Sequence, residues 1–255
     1  MPMGNTPCAL VIGTDRRMRC RALRCIASAA AASLALWSVA ASAAPPNPDP
    51  AFPFAREVEA FAKADAAQPI SPDATLFLGS SSIRLWDTGS SFTDIATVNH
   101  GFGGATTPHV LHYYDRLRPS GRPRAIVVYV GENDLAGGAT PEKVSKDLLT
   151  LLKRLRTDYS RAAIACLSLK PSPLRWTMWP KMIAVNQVVM AAARTARFDY
   201  LDVGSSLLAP DGLPDASLFR QDGLHMNARG YARWTDIVRQ WLRQRAIGNR
   251  TALSD

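Results

Sequence analysis

Four short stretches hold residue types that could do chemistry together: GSSS at 79–82, GFGG at 101–104, GEND at 131–134 and DGLH at 222–225. A serine hydroxyl is a poor nucleophile near neutral pH and needs an adjacent base. Histidine is the usual base, with a carboxylate to fix its tautomer and stabilise the imidazolium. Asp222 and His225 stand three residues apart, so the carboxylate can reach a ring nitrogen within one turn. Acyl transfer also needs donors aimed at the developing oxyanion. The backbone N–H of Gly104 and the side-chain amide of Asn133 are donors of the right kind. Singly, each stretch is weak. Serines after glycine often cap helices, and a glycine followed by Asn-Asp is a turn signal.

Those stretches need a scaffold that brings them to one place. The patterning predicts strands in TLFLG (75–79), IATVNHG (95–101), AIVVYVG (125–131), AAIACLSL (162–169) and FDYLDV (198–203). Helical spacing predicts helices over 54–64, 107–116, 141–156, 181–194 and 229–245. Leu148, Leu151, Leu152 and Leu155 make one apolar face, and Trp234, Ile237, Val238 and Trp241 another. Alternating strands and helices, with uninterrupted apolar strands, argue for an α/β fold with a parallel sheet covered on both faces. Ligands in such sheets bind beyond the carboxyl ends of the strands. GSSS, GFGG and GEND end the first three strands, and DGLH precedes the last helix in a loop that can fold over that edge.

In this order, GSSS, GFGG, GEND and DGLH resemble the four sequence blocks of the SGNH hydrolases, also called GDSL esterases and lipases. The likeness spans roughly residues 54–242. GSSSIRLW, KPSP (170–173) and DGLHMNARGY (222–231) are similar to a secreted bacterial branch and, through it, to the platelet-activating-factor acetylhydrolase catalytic subunits. The resemblance implies a flavodoxin-like three-layer α/β/α sandwich with a central five-stranded parallel sheet, and carboxylic ester hydrolysis with no cofactor and no metal. It implies Ser81 as nucleophile, His225 as base and Asp222 as its partner. It also implies an oxyanion hole from the Ser81 and Gly104 N–H groups and the Asn133 side chain. Two positions depart from the family: Ser80 replaces the usual aspartate of the first block, and His100 stands where related sequences often carry arginine.

Competing readings fare less well. GFGGATT imitates a dinucleotide fingerprint, but its third glycine position is Thr106 and no acid follows at 121–124. The α/β-hydrolase elbow G-x-S-x-G fails at Ile83. His109, His112 and Asp115 share helical spacing suited to a metal, but such triplets are more often incidental. Ser80 and Ser82 are fallback nucleophiles, with Ser82 the expected cap of the following helix. Trp176 and Trp179 follow the fourth strand and suit either the core or a pocket wall.

The N-terminus reads as a secretory signal peptide over 1–43, with a basic region at 16–24, an apolar run at 25–40 and ASA before the cut. A linker at 44–53, a hydrolase domain at 54–245 and a tail at 246–255 follow. Translation starting at Met18 would leave that signal intact. The apolar run falls short of the ~20 residues of a membrane span, so no stable membrane anchor is expected after cleavage. The leader supplies four of the nine net positive charges. The rest shows no basic cluster interleaved with aromatics, and no nucleic-acid partner is expected. The leader also carries Cys8, Cys20 and Cys25, leaving Cys166 alone in an apolar strand with no internal disulfide. The expected protein is a secreted or periplasmic serine esterase for small-molecule or glycan esters, acting on short, acetyl-like groups. An acyltransferase or a lysophospholipase- or thioesterase-like enzyme would use the same triad. An inactive carbohydrate- or lipid-binding module is the non-enzyme alternative.

Overall fold

A computed structural model describes residues 52–251. The leader over 1–43 and most of the linker lie outside these residues. In chain order the elements are α1 (Ala55–Ala67), β1 (Thr75–Gly79), α2 (Ser81–Arg84), α3 (Thr88–Ser91), β2 (Thr97–Gly101), α4 (Thr107–His112) and α5 (Tyr114–Leu117). There follow β3 (Ala125–Tyr129), α6 (Glu132–Ala136), α7 (Pro141–Asp158), β4 (Ala163–Leu167), α8 (Trp179–Ala193), β5 (Asp199–Leu201) and α9 (Ala228–Thr251).

The five strands form one parallel sheet in the order β2-β1-β3-β4-β5. Every residue of β1 and β3 is buried, which is why both read as unbroken apolar runs. From β1 the chain moves outward to β2, then crosses back to β3. Right-handed crossovers therefore put α2 and α3 on one face and α4, α7 and α8 on the other. The order reverses between β1 and β3, and a crevice opens there at the carboxyl ends. Gly79 pairs with Gly101 on one side and Tyr129 on the other, so the ends of β1, β2 and β3 lie level. Gly101 has to be glycine: a Cβ there would lie 2.2 Å from the Arg84 backbone nitrogen.

α9 returns to the α2 face. Trp86 packs edge-on to Trp234, its Nε1 donates to Thr235 Oγ1 at 3.3 Å, and Tyr129 lies against Trp234 from the sheet. Each such aromatic pair adds roughly 0.5–1.5 kcal/mol beyond area burial. On the opposite face Leu148, Leu151, Leu152 and Leu155 of α7 are buried. Cys166 is buried in β4, and burial pushes its thiol up to about 12, in keeping with a small hydrophobe.

The structure departs locally from the sequence expectations. The helix expected over 107–116 is two helices, broken at Tyr113, whose hydroxyl donates to the Phe52 carbonyl. β5 has only three residues, because Ser168 Oγ accepts from the Val203 and Gly204 N–H groups and turns the chain away. The last helix continues past Arg245 to Thr251, into the expected tail.

Candidate active site

Ser81 is the first residue of α2, immediately beyond the buried end of β1. Its backbone N–H belongs to a helical first turn, where N–H groups have no intrahelical acceptor. Ser80 occupies the N-cap position and is buried, without a side-chain cap bond. Ser82 is not the cap: it lies inside α2, buried, and its carbonyl accepts the Tyr231 hydroxyl at 2.9 Å. Of the three serines, Ser81 is the half-buried one whose hydroxyl meets His225.

His225 is delivered by a tight loop before α9. Asp222 Oδ1 accepts from the N–H groups of Leu224 and His225, both at 2.9 Å, and Asp222 Oδ2 lies 2.7 Å from His225 Nδ1. The carboxylate can only accept, so Nδ1 carries the hydrogen and Nε2 is left as an acceptor. Nε2 sits 3.0 Å from Ser81 Oγ, across 144 residues of sequence. Desolvation works against the Asp222 charge, but the bonds from the His225 ring and from the two backbone N–H groups outweigh it and hold the carboxyl down at about 2. Asn227 fastens this loop to the fold. Its amide donates to the Ser217 and Phe219 carbonyls, and its oxygen accepts from Arg229 and Gly230 at the start of α9.

The remaining predicted groups come from the neighbouring strand ends. Gly104 follows β2 with φ +77°, a left-handed conformation that suits glycine, and its N–H lies in the exposed part of that loop. Asn133 lies in the first turn of α6, beyond β3. Its Nδ2 donates to the Ala105 carbonyl at 3.0 Å, and its Oδ1 accepts from both terminal nitrogens of Arg175 at 3.1 Å. Asp134 joins the two strand ends, because both its oxygens accept from the Thr107 N–H at 2.9 and 3.1 Å. Burial is the main reason its carboxyl is raised.

Sequence reasoning missed the charged groups behind Asn133. Glu132 is buried and contacts Lys170 Nζ at 3.1 Å, Arg175 Nη1 at 3.1 Å and the Tyr129 hydroxyl at 2.5 Å. Desolvation opposes its charge, but Lys170 and Arg175 overcome that and hold the Glu132 carboxyl below its usual range. Lys170 has no solvent exposure and also donates to the Leu224 carbonyl at 2.9 Å, one residue before His225. A faint signal existed, since Glu132 and Lys170 are charges placed directly after apolar strands.

The other candidate groups have structural partners. His109 Nδ1 accepts from the Thr106 N–H at 3.1 Å in a capping box, His112 stacks on Phe52 and Asp115 pairs with Arg154. Among the described residues, no group of three or more His, Cys, Asp and Glu side chains is placed to hold a metal ion. Trp179 packs on the core, and Trp176 stacks against it with ring centroids 6.2 Å apart. His100 is buried, with Nδ1 donating to the Leu117 carbonyl at 3.0 Å and Nε2 facing Asp65 at 3.4 Å.

Comparison with known proteins bears on the family and the fold. The GDSL-like Lipase/Acylhydrolase family model matches residues 85–233, beginning four residues after Ser81. The alpha2 subunit of platelet-activating factor acetylhydrolase IB from Rattus norvegicus is 31% identical over 179 residues, which is 64% of this chain and 72% of the relative. The Homo sapiens alpha1 subunit is 29% identical over 170 residues, covering 61% and 69%. A solved GDSL-like lipase from Bacteroides thetaiotaomicron superposes with a TM-score of 0.61 at 17% identity, over 73% of this chain and 97% of that one. A mutant acetyl-xylooligosaccharide esterase from Geobacillus Stearmophilus does so with a TM-score of 0.55 at 14% identity, over 68% and 94%. With a central parallel sheet flanked by helices, and a family match over more than half its length, the chain belongs to the GDSL-like lipase/acylhydrolase family and is an ester hydrolase.

Proposed function

We propose that the protein is a serine esterase for short acyl groups, acetyl first, working through a Ser81–His225–Asp222 triad and a covalent acyl-enzyme. The hydrogen-bonded chain from Ser81 Oγ to His225 Nε2 at 3.0 Å, and from Nδ1 to Asp222 Oδ2 at 2.7 Å, carries this reading. Ser81 Oγ attacks the ester carbonyl carbon as its proton passes to Nε2. The carbonyl oxygen becomes an oxyanion, met by the N–H groups of Ser81 and Gly104 and by Asn133 Nδ2. Collapse breaks the bond to the leaving alkoxide oxygen, which takes the proton from Nε2. Water then attacks the acyl-serine by the same route in reverse, giving up a proton to Nε2, and Ser81 is restored as the acid departs.

Two observations favour small acyl groups. The Oδ1 side of Asn133 is taken by the guanidinium of the partly exposed Arg175, a poor neighbour for a long alkyl chain. Between α6 and α8 the chain is spent on α7, β4 and one proline-containing loop, and no long apolar insertion lies there. The names of the relatives, acetylhydrolases and an acetyl-xylooligosaccharide esterase, point to acetyl groups as well. Substrates would be small-molecule or glycan esters. The leader read in residues 1–43 supports a place outside the cytoplasm, secreted or periplasmic. An exported protein whose first residue is Ala44 is the expected outcome of N-terminal sequencing, and retention of the leader in the cytoplasm would overturn that placement.

Comparing kcat/KM on nitrophenyl acetate, butyrate, octanoate and palmitate tests the chemistry. Acetate is expected to be best, with Ser81→Ala inactive on all four. A rise in kcat/KM through octanoate would instead mean a long acyl groove, and a Ser81→Ala protein with most of its turnover would move the nucleophile elsewhere.

A further inference from the structure

We propose that Arg175 is a positioning residue: it fixes the Asn133 amide in the one orientation that offers a hydrogen to the oxyanion. This rests on the reading of Asn133 as an oxyanion donor. A side-chain amide has an oxygen that accepts and a nitrogen that donates two hydrogens, and its two faces are nearly the same shape. Rotated by half a turn, Asn133 would fit its niche equally well and aim a lone pair at the developing negative charge. Its neighbours forbid this. The guanidinium of Arg175 only donates, and both terminal nitrogens lie 3.1 Å from Oδ1. The Ala105 carbonyl only accepts, and it lies 3.0 Å from Nδ2. Rotation would set NH₂ against guanidinium and oxygen against carbonyl oxygen, losing three hydrogen bonds for two repulsions. One Nδ2 hydrogen serves Ala105, and the second is left to meet the reacting oxygen.

Arg175 is itself held in place. Its Nη1 also donates to Glu132 Oε1 at 3.1 Å, and its side chain is only 17% exposed. Glu132 is clamped in turn by Lys170 and Tyr129. Two cations around one carboxylate leave this buried cluster with a net charge of one positive unit next to the place where negative charge develops, which favours the transition state electrostatically. The same segment reaches the other half of the site. Lys170 donates to the Leu224 carbonyl, and the Leu174 N–H donates to the Gly223 carbonyl at 2.9 Å. The loop between β4 and α8 thus grips both the oxyanion amide and the loop that bears His225.

A double-mutant cycle on nitrophenyl acetate tests the idea, with Ser81→Ala as the control for the chemistry. Losing Asn133 should cost about 10²–10³ in kcat. Arg175→Met should lower kcat by about 10- to 100-fold, with KM changed by less than about 3-fold, as expected for an interaction made only in the transition state. In an Asn133→Ala background, Arg175→Met should cost less than about 3-fold, because the amide it orients is gone. Arg175→Lys, which keeps one donor, should fall between wild type and Arg175→Met, and it carries the same cycle if Arg175→Met does not fold. The Asn133 NH₂ resonance, assigned by its disappearance in Asn133→Ala, should move in Arg175→Met. Additive losses in the double variant, or a loss lying mainly in KM, would make Arg175 a structural or substrate-contacting group and overturn the proposal. So would an unmoved amide resonance. If Asn133→Ala is fully active, the oxyanion reading fails instead, while the resonance still reports whether Arg175 holds the amide.

Discussion

Two carboxylate–base constellations face the same sheet edge on opposite plans. Asp222 and His225 are three residues apart, lie in one loop and are partly open to water, with side-chain exposures of 46% and 23%. Glu132 opens α6, Lys170 and Arg175 lie in the loop after β4, 38 and 43 residues further on, and all three are almost wholly enclosed. In the proposed mechanism the first group carries the proton, and its ring needs an open nitrogen and room to act. The second holds no reacting atom. It fixes the directions of Asn133 and of the loop bearing His225, a task suited to charges that cannot exchange partners with water. The open pair should be costly to activity and cheap to stability, whereas the buried set should cost stability as well as activity.

The sharpest way to break that contrast is His225→Ala. Ester hydrolysis should fall by about 10⁴- to 10⁶-fold, while the thermal midpoint stays within a few degrees of wild type. A strongly lowered midpoint would show that the dyad is structural as well. Next in size is Glu132→Gln, which leaves Lys170 and Arg175 uncompensated and should cost about 3–5 kcal/mol in urea unfolding. Adding Lys170→Met should recover part of that, since it removes one of the two uncompensated cations. Failure of the second change to rescue the first would mean that Lys170 acts chiefly through the Leu224 carbonyl.

The smallest effect is one of pH. The folded Asp222 carboxyl, at about 2, lies below its ordinary value of 3.8. Its stabilisation is therefore fully present above about pH 4 and is lost as pH falls through about 2. Because the group is nearly half exposed, water screens most of this, and Asp222→Asn should remove less than about 1 kcal/mol of acid-sensitive stability. Comparing unfolding free energies of the two proteins at pH 5 and pH 2.5 measures it. A difference several times larger would put Asp222 in the same class as Glu132.

Much of the scaffold was legible before any coordinates. Unbroken apolar runs marked β1 and β3 because both faces of those strands are covered, and the leucine spacing of α7 marked the side packed on the sheet. The break at Tyr113, whose hydroxyl bonds to the Phe52 carbonyl 61 residues away, left no mark in the helical spacing of 107–116. Ser82 looked like a cap by position alone, although it is buried inside α2 beneath Tyr231.

The sequence by itself determined whatever neighbouring residues decide. The Asp222–His225 pair closes within one loop, and Thr140 caps α7 because its side chain accepts the Lys143 N–H. Only the tertiary structure decided which serine meets His225, across 144 residues, and that Arg175 reaches Asn133, across 42. The reason is physical. A short-range hydrogen bond follows from local backbone geometry and the residue types within a turn. A buried charge is tolerated only beside partners that the strand order brings to it, and here the reversal between β1 and β3 sets those partners around one crevice.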